Sequence, residues 1–154
     1  MYTAYRVTEY WQRACVYYIR LDEFVHEFDF GVETELDERD TPETPYILVM
    51  NEHHVPAATC RLRYLDDKTG KIERVSTLKQ FRKTGAGRVA IEAAEQWMQE
   101  NGVTRIMINS RDTAIGFYEK LGYVTDWDSH QKGGLFGTVN TYKSLDSKEA
   151  PHAD

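Results

Sequence analysis

The run Gln80-Phe81-Arg82-Lys83-Thr84-Gly85-Ala86-Gly87-Arg88 brings three cations and two closely spaced glycines into nine residues. Residues of these types at this spacing suit one task above others, the holding of phosphate. Arg82, Lys83 and Arg88 supply charge. Gly85 and Gly87 let the backbone approach a ligand closely and adopt dihedrals that a side chain would forbid. The run also joins a strand-like segment, Lys71 to Leu78, to an amphipathic helix that starts near Gly87. The first turn of a helix leaves its N–H groups without partners, and the helix dipole favours an anion there.

Two familiar phosphate loops do not fit. A nucleotide P-loop requires Gly-x-x-x-x-Gly-Lys-[Ser/Thr], whereas the only Gly-Lys here is Gly70-Lys71, followed by Ile72. A dinucleotide fingerprint requires Gly-x-Gly-x-x-Gly/Ala at the first turn of a βαβ unit. Gly85, Gly87 and Ala90 have the spacing, but no βαβ unit opens the chain and the preceding run is polar and basic. What remains is Arg-x-x-Gly-x-Gly, formed by Arg82, Gly85 and Gly87.

That loop resembles the pyrophosphate loop of the GNAT superfamily, the acetyl-CoA-dependent N-acetyltransferases. Two further segments share the likeness. Ile72-Glu73-Arg74-Val75-Ser76-Thr77-Leu78 resembles the family's fourth strand, Ile-Glu-Arg-Val-Ala-Val. Ala114-Ile115-Gly116-Phe117-Tyr118-Glu119-Lys120-Leu121-Gly122-Tyr123 resembles its Ala-x-x-Phe-Tyr-x-Lys-x-Gly-Phe segment. The motifs stand in the family's order, and the likeness covers roughly residues 46–125. It implies an α/β (α+β) fold of GNAT type, with a central mixed, mostly antiparallel twisted sheet of six to seven strands flanked by about four helices.

The resemblance also implies roles. Arg82, Lys83, Thr84, Gly85, Ala86, Gly87 and Arg88 would hold the pyrophosphate of acetyl-CoA, the cosubstrate. The backbone N–H near Val75 would polarise the thioester carbonyl, and Val75 and Thr77 would pair their backbone with the pantetheine arm. Tyr118 would give a proton to the departing thiolate, since a phenol is protonated at neutral pH. The acceptor amine must lose a proton, and Glu73, the only acid in the strand leading to the loop, is the candidate base; Tyr64, Asp22 and Glu33 are alternatives. Two positions depart from the family's pattern. It often has Asn three residues before the alanine, where this chain has Arg111, so Arg111 pairing with phosphate, or Asn109 in the Asn role, completes the cofactor set. The last strand lacks the histidine often found there and reads Thr138-Val139-Asn140-Thr141-Tyr142. Neither cysteine lies in a motif, so the expected reaction is direct attack by the amine in a ternary complex. An acyl-CoA-binding sensor with weak catalysis is the alternative.

Composition bounds the remaining possibilities. The chain has 154 residues, 41% hydrophobic and 29% charged, and a net charge of −6, which suits one globular domain over residues 1–145 and argues against nucleic acid as a partner. No apolar run approaches the roughly 18 residues of a membrane helix, and Met1 to Arg6 has no apolar signal region. Cys15 and Cys60 have no metal spacing, so no metal and a reducing cytoplasmic setting are expected. A homodimer is compatible with this reading. Asp22 to Glu43 holds ten acids (Asp22, Glu23, Glu27, Asp29, Glu33, Glu35, Asp37, Glu38, Asp40, Glu43) against one base, Arg39. Such a run either attracts a cationic small-molecule or peptide amine or is a solvated surface.

The elements that must position these residues follow from the pattern. Residues 2–8 read as a strand and Glu9 to Phe28 as a helix, whose Trp11, Tyr17, Tyr18, Phe24 and Phe28 are expected in the core, or lining an acceptor cleft. The acidic stretch, with Pro42 and Pro45, reads as loop. Tyr46 to Asn51, Val55 to Tyr64 and Lys71 to Leu78 form a meander, with His53 and His54 in its first turn. Gly87 to Asn101 is the clearest helix, followed by a strand from Val103 to Asn109. Asp112 or Thr113 is expected to cap a short helix ending at Leu121, with Phe117 as its core residue. Strands at Tyr123 to Asp126 and Val139 to Leu145 close the fold, and 146–154 reads as a disordered polar tail.

Overall fold

The computed structural model describes residues 1–134 and 136–145; the expected disordered tail, 146–154, lies outside them. Among the described residues, seven strands form one open sheet in the order β1-β2-β3-β4-β5-β7-β6. They are β1 (Thr3–Arg6), β2 (Tyr46–Met50), β3 (Pro56–Tyr64), β4 (Thr69–Thr77), β5 (Arg105–Arg111), β6 (Val124–Gln131) and β7 (Thr138–Ser144). The helices are α1 (Tyr10–Leu21), α2 (Val32–Glu35), α3 (Ala86–Glu100) and α4 (Ile115–Lys120). The β4–β5 pairing is parallel, while β1–β2, β2–β3, β5–β7 and β6–β7 are antiparallel. This is the mixed, mostly antiparallel sheet expected from the sequence. No described helix is long and apolar enough to cross a membrane.

One compact unit comprises Met1–Leu62 and Arg74–Ala94. Its centre is β2, in which all five residues are buried. Tyr46, Leu48 and Met50 join Val7, Val16, Ile19 and Leu78 in a single apolar cluster with α1. Ile47 lies opposite Cys60 of β3, so the two share the other face, where Cys60 Sγ sits 3.7 Å from the Ala90 carbonyl of α3. Each fully buried Ile or Leu here contributes about 1.5–3 kcal/mol.

The inward face of α1 is less apolar than its sequence suggests. Gln12, Val16, Ile19 and Arg20 are buried, whereas Trp11 is 52% and Tyr18 is 54% exposed. The expectation of Trp11 and Tyr18 in the core is therefore corrected; Tyr17, Phe24 and Phe28 are half-buried. The reason is Arg20. It has no solvent exposure, and turning it inward rotates the neighbouring stripe outward.

Arg20 explains the acidic stretch as well. Its Nε donates to Glu35 Oε2 at 2.8 Å and its Nη1 to Asp40 Oδ1 at 2.7 Å. Arg61 Nη1 lies 3.0 Å from both Asp37 Oδ1 and Asp40 Oδ1, and the Tyr46 hydroxyl donates to Asp40. The helix expected to run to Phe28 continues past α1 as a π-helical turn, Asp22–Glu27, and the stretch expected as loop contains the short α2, which ends at the buried Glu35. Burial alone would raise the Asp40 carboxyl, but hydrogen bonds from Arg20 and Tyr46 hold it well below the ordinary carboxylate range. At Glu35 burial outweighs Arg20, and its carboxyl titrates above its usual value.

The other unit comprises residues 63–73 and the chain from Glu95 onward. Its ladders pair Arg105–Arg111 with Thr138–Ser144 in seven consecutive steps, and Thr69, Gly70 and Lys71 with Arg105, Ile106 and Met107. Gly70 lets α3 approach: a Cβ there would stand 2.6 Å from Met98 Sδ. Glu95, nearly buried, receives the Tyr123 hydroxyl at 2.6 Å and Lys143 Nζ at 3.1 Å. β6 runs on to Gln131, beyond the expected Asp126. The expected cap on α4 is also corrected. Ala114 is the N-cap and no side chain caps it; Asp112 sits in a preceding 3-10 turn, 3.2 Å from His130 Nε2.

The buried carboxylates should differ in substitution. Asp40→Asn removes the charge that faces both Arg20 and Arg61 and should cost about 3 kcal/mol in urea unfolding at pH 7. Glu35→Gln should cost about 1 kcal/mol or less, because burial already disfavours its ionised form. Asp40 titrates lower when folded, so its stabilisation is present above about pH 4 and is lost as pH falls further. The acid limb of stability should accordingly be shallower in Asp40→Asn. An equal or larger loss for Glu35→Gln would contradict this assignment.

Candidate functional site

The basic run forms the turn between β4 and α3. A 3-10 turn, Lys79–Phe81, leads into residues 82–85, and α3 begins at Ala86. Lys83 has φ 64° and Gly85 φ 98°, both left-handed, with Thr84 between them. Alternating backbone conformations of this kind turn successive N–H groups toward one side and make an anion-binding concavity. A Cβ built on Gly85 would meet nothing within 4 Å, so the space against the turn is open. The dipole of the 15-residue α3 has its positive end here. The Thr84 hydroxyl is engaged locally, donating to the Phe81 carbonyl and lying 2.6 Å from the Tyr2 hydroxyl.

The three cations of the turn behave differently. Lys83 is exposed and has no ion-pair partner among the described residues. Arg88 is exposed and pairs with Glu92 at 3.0 Å, a weak contact between two solvated groups. Arg82 turns back. Its Nε donates to the Thr77 carbonyl at 3.2 Å, its Nη2 to Glu27 Oε1 at 2.6 Å and to Glu23 Oε2 at 3.3 Å. Glu23 also accepts from the Ser76 hydroxyl of β4. The π-helical turn of α1 therefore ties the loop's first residue to the strand that precedes it. Sequence reading gives Arg82 to the phosphate; its guanidinium is committed to two carboxylates.

On β4, Val75 and Thr77 are half-buried, in the same unit as the loop. The parallel ladder with β5 ends at Lys71, so the segment carrying Val75 and Thr77 lies past it. Arg74 has φ 52°, a left-handed residue inside a strand. Glu73 belongs to the other unit. Its carboxylate, 11% exposed, lies 3.5 Å from Arg63 Nη1 and 3.6 Å from Lys71 Nζ. It is a charge-paired strand residue whatever else it does. Tyr64, an alternative base, accepts from Asn101 Nδ2 at 2.9 Å, Asp22 faces His26 at 3.5 Å, and Glu33 is exposed.

Tyr118 is 6% exposed, its ring edge-on to Tyr123 at 6.1 Å and to Phe117 at 5.0 Å. Phe117 is 37% exposed, which corrects its expected place as the core residue of α4: Tyr118 takes that position. Asn109 Nδ2 donates to Asn140 Oδ1 at 2.8 Å, and the Arg111 guanidinium lies 4.9 Å over the Phe136 ring. Loop residues 82–88 thus share a unit with Val75 and Thr77, while Glu73, Tyr118, Asn109 and Arg111 are in the second unit. Residues that sequence reading missed are Glu23, Glu27, Ser76 and Arg74. Each is paired with a partner 37 to 59 residues away in the chain, which leaves no local signature.

The chain is similar to known proteins in both sequence and fold. Residues 6–123 match the acetyltransferase (GNAT) family. A Bacillus subtilis protein assigned as an acetyltransferase is 37% identical over 119 residues, 76% of this chain and 80% of that protein. The crystal structure of a protein assigned as an N-acetyltransferase from Lactobacillus plantarum superposes with a TM-score of 0.86 at 30% identity, covering 94% of this chain and 98% of that one. The ribosomal-protein-S18-alanine N-acetyltransferase of Escherichia coli shares the fold, with a TM-score of 0.68 at 17% identity and 94% of each chain covered. With its family match spanning most of its length, the chain belongs to the acetyltransferase (GNAT) family, a family of acyltransferases.

Proposed function

We propose that this protein moves an acetyl group from acetyl-CoA to a primary amine by direct attack in a ternary complex. The observation that carries the reading is the turn at 82–88: left-handed Lys83 and Gly85, open space at Gly85 and a long helix start together suit a pyrophosphate. Backbone N–H groups and the uncommitted Lys83 would bind it, and Arg82 would hold the turn's shape. Val75 and Thr77 would receive the pantetheine arm on a stretch of β4 past its ladder with β5.

In this mechanism the amine nitrogen attacks the acetyl carbon, and the Val75 N–H takes the charge that develops on the carbonyl oxygen. The amine gives its proton to Glu73. The C–S bond breaks and the thiolate takes the proton of Tyr118. The cysteines support direct transfer: Cys60 is buried, and burial pushes the Cys15 thiol up, away from the reactive thiolate. Two free cysteines also suit a reducing cytoplasm.

The acceptor we assign is a cationic amine. Five acids of the run are spent on arginines, namely Glu23, Glu27, Glu35, Asp37 and Asp40. Asp29, Glu33, Glu38 and Glu43 are exposed and supply the attractive field, which salt screens over about 8–10 Å.

Gly85→Val forces a branched side chain into φ 98° and into the open space, and CoA affinity by calorimetry should be nearly abolished. Unchanged affinity would remove the loop from the site. Thiol release from acetyl-CoA across a panel of amines tests transfer, and parental CoA binding without thiol release on any amine would favour the sensor reading. Tyr118→Phe should lower turnover about 100-fold with acetyl-CoA affinity nearly constant. Glu73→Gln should also slow turnover, by a factor that shrinks as pH rises and the amine deprotonates unaided. A pH-independent loss would make Glu73 a positioning group.

A further inference from the structure

Among the described strand residues, Arg74 alone has a left-handed backbone, with φ 52°. A long-chain residue adopts this conformation at a cost in free energy, and it persists only where the surroundings over-determine it. The surroundings here are acidic and fixed. Arg74 Nη2 lies 3.0 Å from Asp37 Oδ2, and its Nε lies 3.5 Å from Glu35 Oε2 and 3.4 Å from the Glu35 carbonyl. Both carboxylates are held from the other side, Glu35 by Arg20 at 2.8 Å and Asp37 by Arg61 at 3.0 Å. Burial would raise the Asp37 carboxyl, yet hydrogen bonds from Arg61 and the Arg39 amide, with the charges of Arg61 and Arg74, bring it below its ordinary value. Arg74 therefore meets a pair of acceptors, each already engaged by another arginine, that its planar fork can hold.

The peptide that follows Arg74 carries the N–H of Val75. Its plane is set by ψ of Arg74 and φ of Val75, so whatever fixes the backbone at 74 also aims that N–H. We propose that Arg74 is a positioning residue for acetyl transfer: its ion pairs with Glu35 and Asp37 hold the left-handed turn in β4 and aim the Val75 N–H at the thioester oxygen. This rests on the reading of Val75 given above. Glycine would adopt the same φ freely but would not hold it, and lysine would offer a point charge in place of a fork.

The experiment compares the parent with Arg74→Ala, Arg74→Gly, Arg74→Lys and Asp37→Asn, by steady-state kinetics well below each unfolding midpoint and by the amide NMR signal of Val75. Losing an aimed carbonyl donor lowers turnover by about 100-fold or more. Arg74→Ala and Arg74→Gly should approach that loss in kcat while KM for acetyl-CoA stays within about twofold. Arg74→Lys and Asp37→Asn should fall between, and they carry the test if the alanine variant does not fold. In the parent, acetyl-CoA should shift the Val75 amide signal more than CoA does, and the difference should vanish in Arg74→Gly. Parental kcat in folded Arg74→Gly would show that the ion pairs aim nothing and would overturn the proposal. So would an equal Val75 response to acetyl-CoA and CoA in the parent. A parent that binds acetyl-CoA but acetylates no amine contradicts the transfer reading instead, and the Val75 signal then still decides the role of Arg74.

Discussion

A guanidinium with no access to solvent must find its partners inside the protein, and Arg20 finds Glu35 and Asp40. A buried charge left alone would be far costlier than any single apolar contact is favourable. The path of residues 35–40 is thereby constrained: the chain must return beneath α1 with two carboxylates facing inward. Arg61 joins these acids from β3 and Arg74 from β4. What looks in the sequence like an excess of negative charge is, for half of its members, one side of ion pairs with arginines.

Two sets of ion pairs reach toward the proposed chemistry. Arg74 carries the network around Arg20 to β4, and Arg82 with Glu23 and Glu27 ties the π-helical turn to the turn after β4. Left-handed backbone marks both neighbourhoods, at Arg74 and at Lys83. The segment between them, residues 75–82, is the one assigned to the thioester and to the start of the pyrophosphate loop. Strained backbone held by ion pairs is a recurrent way to keep donors aimed without flexible side chains. Arg82 in the loop is ion-paired with Glu23 and Glu27; in the proposed site its guanidinium would hold the turn's shape, and Lys83 and backbone dipoles would supply the charge for the ligand.

Local patterns made much of this legible in advance. The apolar run Tyr46–Met50 and the helix expected from Gly87 to Asn101 depend on neighbours in sequence, and they appear close to where expected, whereas β4 starts at Thr69, two residues before the expected Lys71. The glycine-spaced turn also appears where expected, since φ 98° at Gly85 and the open space beside it are properties of one residue and its immediate surroundings. Misread elements depend on distant partners. Trp11 and Tyr18 look like core residues until Arg20 claims the inward face. Phe117 outranks Tyr118 in hydrophobicity, yet Tyr118 is the one inside, packed on Tyr123. The acidic stretch reads as loop because no local rule announces that Arg61 and Arg74 will meet it. In each case a charge or ring contact beyond the element's own pattern overrode a local preference.

In the proposed site the turn at 82–88 recognises the phosphates of CoA chiefly through backbone N–H groups and the helix dipole. The most direct test of this recognition is calorimetric titration of the parent protein with CoA and with pantetheine, which has the same thiol arm and no phosphates. CoA should bind with measurable heat, more weakly as salt rises, while pantetheine should show no binding at the same concentrations. Equal affinity for the two, independent of salt, would contradict the account and assign recognition to the arm alone.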